Sequence, residues 1–308
     1  MTSPASATVL VFLDPDYEYG RIADPAQPQL MATDQGATRG DGVFESMLAI
    51  AGRTRKVQAH LDRLGGSALA LDLEIPGQDV WRRAIETGVS AFRSDNPASS
   101  PDEDEAVVKL VVTRGVEGAS SPTCWVQVSA VGAAGRRQRE AGVDVILLDR
   151  GYDSDVAERA PWLLLGAKTL SYAVNMAALR HAARQGAGDV IFVSTDGYIL
   201  EGPRSTVVIA TESENGAGTF ALLTPPPWYP ILRGTTQQAL FEVARNKGYD
   251  CDYRSLRPAD LVAAQGVWLI SSITLAARVH TLDGKVLRHA PLAEELAELV
   301  DAAIVSDR

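Results

Sequence analysis

A lysine attacks a carbonyl carbon only as the neutral amine, and Lys168 stands where that form is favoured. It follows the apolar run Trp162-Leu-Leu-Leu-Gly-Ala167 and just precedes a helix start. Withdrawal from water disfavours the ammonium form, and a neutral amine enters Schiff-base chemistry. Taken alone, such a position more often belongs to a lysine that lifts its charge back out to water. Three further positions bear on it. Glu201 ends a strand that opens into Gly202-Pro-Arg-Ser-Thr206, where a carboxylate can pair with a protonated ring nitrogen; alone it reads as a surface glutamate. Gly234 followed by Thr235 and Thr236 at a helix start offers backbone N–H groups, hydroxyls and the positive end of the helix dipole to an anion; alone it reads equally as threonine capping. Arg63 lies on the helix after the first hairpin, and its planar fork suits a phosphate, although an arginine there is otherwise simply solvated. Together these residues form an amine nucleophile, a carboxylate partner and a phosphate clamp. That is the equipment of a pyridoxal phosphate (PLP) site.

The elements that must position these groups mix strands and helices. Gly42–Ile50, a turn at Gly52 and Arg53–Val57 predict a β-hairpin. His60–Leu71 has helical apolar spacing, and a second helix is expected over Asp79–Phe92. Ala106–Thr113 and Cys124–Ser129 are β-branched runs and predict strands. The glycine-rich, polar stretch 132–142 is the expected interdomain linker. It separates an N-terminal α/β domain over 1–131 from a C-terminal α/β domain over 143–308, which carries the lysine. In the second domain, strands are expected over 143–148, 205–210, 220–223 and 267–271. A hairpin over 189–201 turns at Asp196-Gly197. Helices are expected over 172–185, 234–247 and 291–305.

With 308 residues, 46% of them apolar, the chain can bury a large core. Its net charge of −10 argues against a nucleic-acid partner, which requires a basic stripe. The acidic cluster Asp102-Glu-Asp-Glu105 reads as a solvated loop. Two cysteines suggest no disulfide framework, and four histidines without ligand spacing suggest no metal site. No signal peptide or membrane span is apparent, so a soluble cytoplasmic protein is expected.

The motifs Arg39-Gly-Asp-Gly-Val-Phe-Glu45, His60-Leu-Asp-Arg63-Leu64, Lys168-Thr-Leu-Ser-Tyr172, Asp196-Gly-Tyr-Ile-Leu-Glu201-Gly, Leu232-Arg-Gly-Thr-Thr236 and Ile270-Ser-Ser-Ile-Thr274 occur in this order along most of the chain. In these motifs the sequence resembles the fold-type IV PLP enzymes, which include branched-chain and D-amino acid aminotransferases and 4-amino-4-deoxychorismate lyases. The resemblance implies a mixed α/β (α+β) two-domain fold with the cofactor in the cleft between the domains. It implies that Lys168 forms the imine with PLP and shuttles protons, and that Glu201 holds the pyridine nitrogen protonated. Arg63, Thr235 and Thr236 would bind the phosphate. Ser272 or Thr274 would support the cofactor, and Tyr172 would hydrogen-bond near the ring oxygen, although the family's tyrosine sits one residue further on. A homodimer is implied, with loops near Gly40–Phe44 or Arg114–Pro122 reaching the neighbouring subunit. Two departures stand out: Ser171 and Thr206 occupy positions where the family often has asparagine.

Within the family, D-amino acid aminotransferases hold the substrate carboxylate with a first-strand tyrosine, and with an arginine and a histidine after a Thr-Arg-Gly motif. Here Phe44 takes the tyrosine's place, and the loop after Thr113-Arg114-Gly115 has neither cation. Burying a carboxylate without a cationic partner is costly. The resemblance therefore favours a lyase that releases pyruvate and 4-aminobenzoate, a precursor for folate synthesis, with Phe44 and Arg114 as candidate substrate contacts. Arg114 reads equally as part of a structural salt bridge. The alternatives are an aminotransferase of D-amino or branched-chain amino acids and a non-catalytic PLP-binding module.

Overall fold

Every second residue from Ala106 to Val112 is buried, as is every second residue from Cys124 to Val128, the pattern of strands with one face on a core. A computed structural model describes residues 8–97, 104–213 and 220–305. The described residues fall into two compact units. One runs to Gly132 and takes in Ala167–Tyr172; the other comprises Ala133–Gly166 and the chain from Ala173 onward.

The first unit contains strands β1 (Thr8–Phe12) and β2 (Arg21–Ala23), helix α1 (Gln35–Arg39), and strands β3 (Gly42–Ile50) and β4 (Arg53–Thr54). Helices α2 (Val57–Ala70) and α3 (Gln78–Asp95) and strands β5 (Glu105–Thr113) and β6 (Thr123–Ala130) follow. The strands form one antiparallel sheet in the order β2-β1-β6-β5-β3-β4. Helix α3 presents Trp81, Ala84, Ile85, Gly88, Val89 and Phe92 as one buried face, at the 3–4 spacing of an amphipathic helix. Gly88 lets it approach closely, because a Cβ there would lie 2.9 Å from the Val128 side chain. Of the acidic cluster, 102 and 103 lie outside the described residues, and Glu105 begins β5.

The second unit opens with helix α4 (Ala133–Ala141). The stretch expected as a linker is thus helical. Only two of its glycines fall outside the helix: Gly132 before it and Gly142, in the left-handed region at φ 76°, after it. Strand β7 (Val143–Asp149), helix α5 (Val156–Arg159), a 3-10 turn (Pro161–Leu163), helix α6 (Ala173–Arg184) and strands β8 (Asp189–Val193), β9 (Thr206–Glu212) and β10 (Phe220–Thr224) come next. They are followed by α7 (Thr235–Asn246), β11 (Asp250–Tyr253), α8 (Pro258–Ala263), β12 (Gly266–Ser271), β13 (Leu275–Leu282), β14 (Lys285–Val286) and α9 (Ala293–Val305). The sheet runs β11-β10-β9-β12-β13-β7-β8, with β14 beside β13, and mixes parallel and antiparallel pairs. Successive residues of β8 enter different cores: Ile191 joins one cluster, and Val190 and Phe192 the other. A strand buried on both faces reads as a continuous apolar run. After β8 the chain turns at Gly197 (φ 87°), and the returning segment makes one regular bridge, Val193 with Ile199. No helix among the described residues is long and apolar enough to cross a membrane.

Candidate active site

Lys168 belongs by contact to the first unit, not to the C-terminal unit expected from its place in the chain. Its segment lies along β3 as an added short strand. Thr169 bridges Val43, the Phe44 N–H donates to the Lys168 carbonyl at 3.0 Å, and the Leu170 N–H donates to the Gly42 carbonyl at 2.8 Å. The Lys168 N–H donates to Ser67 Oγ of α2 at 3.0 Å. Backbone pairing, rather than the preceding apolar run, fixes this lysine; Trp162 and Leu163 of that run are exposed. The half-buried Lys168 Nζ lies 4.5 Å from the centroid of the Phe44 ring and 5.7 Å from that of Tyr172. These two rings meet edge to face at 5.3 Å. Three candidate residues, Lys168, Phe44 and Tyr172, thus stand together. Ser171, where the family often has asparagine, donates its hydroxyl to the Gly40 carbonyl.

Arg63 is held by a partner that sequence reasoning missed. Its Nε and Nη2 donate to the two oxygens of Glu45 at 2.6 and 2.9 Å, and His60 Nδ1 lies 2.8 Å from Oε2. Glu45 has no exposed surface. Burial by itself would raise its carboxyl, but the Arg63 charge and the hydrogen bonds from His60 and Arg63 bring it down to about 2. Burial pushes His60 below its usual range, so Nδ1–H is the donor to a charged carboxylate. His60, Arg63 and Ser67 recur at spacings of three and four, so one side of α2 holds both the Glu45 pair and the Lys168 backbone. Arg114 is taken up structurally. Its guanidinium donates to Asp41 at 2.7 and 3.2 Å and to the carbonyls of Leu71 and Asp72. The structural salt bridge weighed for Arg114 beside a substrate contact is present, and it ties the end of β5 to the end of α2.

In the second unit, half-buried Glu201 accepts the Leu232 N–H at 3.0 Å through Oε2. Arg150 lies 4.4 Å over the Phe192 ring and donates to Tyr152 and Asn175, and Asn175 donates to the Pro203 carbonyl beside the glutamate. Burial raises the Tyr152 phenol, and the Glu201 charge adds to the rise. Helix α7 opens at Gly234, which has no side chain to cap it. The first intrahelical bond is from Gln238 N–H to the Gly234 carbonyl, so the amides of residues 235–237 precede the ladder. Thr235 and Thr236 are buried, and their hydroxyls lie 3.3 and 3.0 Å from Ser272 Oγ. Gln237 is also buried, and its Nε2 has no partner among the described residues. Hydroxyls, first-turn amides and an unsatisfied amide nitrogen around a helix N-terminus form a donor set that fits a phosphate. Ser272 joins this group. Thr274 does not: its N–H goes to Ser271 Oγ, and its hydroxyl faces Gly135 of α4. Thr206, the other departure from the family pattern, packs its hydroxyl where a Gly234 side chain would stand.

The amino-transferase class IV family model matches residues 42–282. The chain belongs to the amino-transferase class IV family. Among class IV relatives, it is 61% identical over 289 residues to the bifunctional aminodeoxychorismate lyase / D-amino acid transaminase of Mycobacterium tuberculosis, covering 94% of this chain and 98% of that protein. The PLP-bound form of a hypothetical aminotransferase from M. tuberculosis superposes with a TM-score of 0.90 at 59% identity, over 97% of this chain and 100% of that one. A fold IV-transaminase from Curtobacterium pusillum gives 0.87 at 41% identity, with the same coverage. The fold-type IV architecture expected from the class IV motifs is the one found.

Proposed function

We propose that the chain is a PLP enzyme acting both as an aminodeoxychorismate lyase, releasing pyruvate and 4-aminobenzoate, and as a D-amino acid transaminase. The observation that carries this reading is the 61% identity, over nearly the full length of both chains, to a protein named for both activities. Lyase and transaminase, weighed above as alternatives, then share one site. When bound, PLP supplies an aldehyde carbon and an electron-accepting ring.

The residues divide the remaining work. Lys168 Nζ would hold PLP through its aldehyde carbon and, with a substrate amine in that place, would serve as the base for the proton on the amine-bearing carbon. Its backbone pairing with β3 fixes where that amine stands beside Phe44. The Glu201 carboxylate would keep a proton on the ring nitrogen of bound PLP, and its bond from the Leu232 amide fixes its orientation. Thr235, Thr236 and Ser272 bind the phosphate through hydroxyl and amide donors, and Arg63, aligned by Glu45, contributes charge. Phe44 and Tyr172 wall the lysine with apolar surface.

The test is spectroscopic and catalytic. Protein incubated with PLP should show the visible band of a lysine imine. It should form 4-aminobenzoate from aminodeoxychorismate and pass to the pyridoxamine form with D-alanine. Lys168→Ala should lose the band and both activities. A wild-type protein with no band, or with neither activity, would overturn the reading. We also propose a homodimer; its support is the family and the exposure of Trp162, Leu163, Val174 and Met176.

A further inference from the structure

We propose that the cleft beside the β3–β4 turn is a second binding site, for an aryl carboxylate. The site stands on its own geometry. Only the choice of 4-aminobenzoate as its ligand rests on the lyase reading given above.

The cleft has a volume of about 460 Å³ and lies among that turn, the start of α2 and helix α3. That size is within the range of small-molecule sites. All of it belongs to the first unit, and none of the residues assigned above to cofactor or substrate lines it. Val57, Ile85 and Val89 give it apolar surface. Arg53, Arg82 and Arg93 bring three guanidinium groups to it, and Glu86 brings one carboxylate.

The arginines are positioned but not consumed. Arg93 gives Nε and Nη2 to Asp104 at 3.1 and 2.7 Å. Its Nη1 is left over the turn, where a Cβ on Gly52 would lie only 2.6 Å away. Arg82 stands four residues before Glu86 but makes no ion pair with it. Its Nη2 donates instead to Gln58, which is held in turn by Asp62 and Gln78. Arg53 is exposed on β4 and has no ion pair among the described residues. With Asp104 included, three positive charges meet two negative ones, in a chain whose net charge is −10.

One uncompensated positive charge beside apolar surface calls for a monoanion with an apolar body. A guanidinium receives a carboxylate through two parallel N–H donors and stacks on an aromatic face. An aryl carboxylate uses both properties, with its ring against Val57, Ile85 and Val89. Free phosphate would leave that apolar surface uncovered. An α-amino acid would bring its ammonium group to three arginines. In 4-aminobenzoate the amine is uncharged at neutral pH, and Glu86 supplies an acceptor for its N–H. The anion that the lyase reaction releases thus matches the lining on all three counts.

Calorimetry on the PLP-loaded protein tests this, with 4-aminobenzoate, benzoate, aniline and inorganic phosphate as probes. Both carboxylates should bind wild type, aniline should not, and phosphate should fail to displace them. In Arg53→Ala/Arg82→Ala their Kd should rise ~10- to 100-fold, the loss expected for a charged hydrogen bond. The imine band and the KM for D-alanine should stay as in wild type. Photolabelling of wild type with 4-azidobenzoate locates the site without any substitution. Label should appear within 52–57 or 82–93 and be suppressed by 4-aminobenzoate. Label found only elsewhere, an unchanged Kd in the double variant, or displacement by phosphate overturns the proposal. A protein without the imine band would remove the functional reading while the cleft is still measured by benzoate and the label. A normal band with an unlabelled cleft removes this inference alone.

Discussion

Glu45 is a charged carboxylate with no exposed surface, and three hydrogen bonds from Arg63 and His60 hold it so. Its folded value of about 2 lies below the ordinary 4.5. Its contribution to stability is therefore complete above pH 4.5 and is lost as pH falls toward 2. His60 acts earlier and in the same direction. Burial lowers its folded value from 6.5, so the unfolded chain binds its proton first and stability starts to fall below that pH. Glu45→Gln leaves the Arg63 charge without its partner and should cost ~3–5 kcal/mol at neutral pH. It should also flatten the acid limb between pH 4.5 and 2. Urea unfolding across that range reads both effects, and a loss under ~1 kcal/mol at pH 7 would contradict the account. The sequence made Arg63 visible as an arginine at helical spacing. It hid Glu45 as a partner because register, not proximity in the chain, brings them together.

Among the elements, β3 carries the most consequence, for it pairs with β4, β5 and the lysine segment. Gly42 sits where the β5 and lysine-segment pairings meet. A Cβ there would collide with the Val112 carbonyl oxygen and lie 2.8 Å from the Leu170 side chain. Carbonyl oxygens in a ladder cannot rotate aside, so Gly42→Ala should move the strand end that holds Lys168. We expect lower PLP affinity, read by titrating the imine band, with the far-UV spectrum little changed. Wild-type affinity would show that the segment tolerates the shift. Elements with clear periodicity, such as α3, β5, β6 and α7, were readable within a few residues. Strands β2 and β11 and helix α8 were not: they are short, and their partners define them; β13 was missed although Leu275, Ala277 and Val279 alternate inward. The stretch 132–142 misled because glycine and charge suggest an open linker, whereas Ala133–Ala141 carries good helix formers, among them Gln138, Arg139 and Glu140, between its flanking glycines.

For the whole molecule, the proposed homodimer predicts a sedimentation mass twice the 32.9 kDa of one chain at micromolar concentration; a monomer at assay concentration would refute it. The class IV motifs spread over most of the chain made the architecture legible before any coordinate. The unit to which the lysine belongs was not legible, because a six-residue segment carries no compositional mark of the sheet it joins. That segment leaves the second unit after Gly166 and rejoins it at Ala173. Neither unit is therefore a continuous cassette. A gene divided after residue 132 would encode a sheet whose β3 edge has lost its bridge at Val43 and its bonds at Gly42 and Phe44, and Lys168 would travel with the other half. Any exchange of one unit has to graft 167–172 as a separate insert, so Lys168 is inherited by threading rather than by domain.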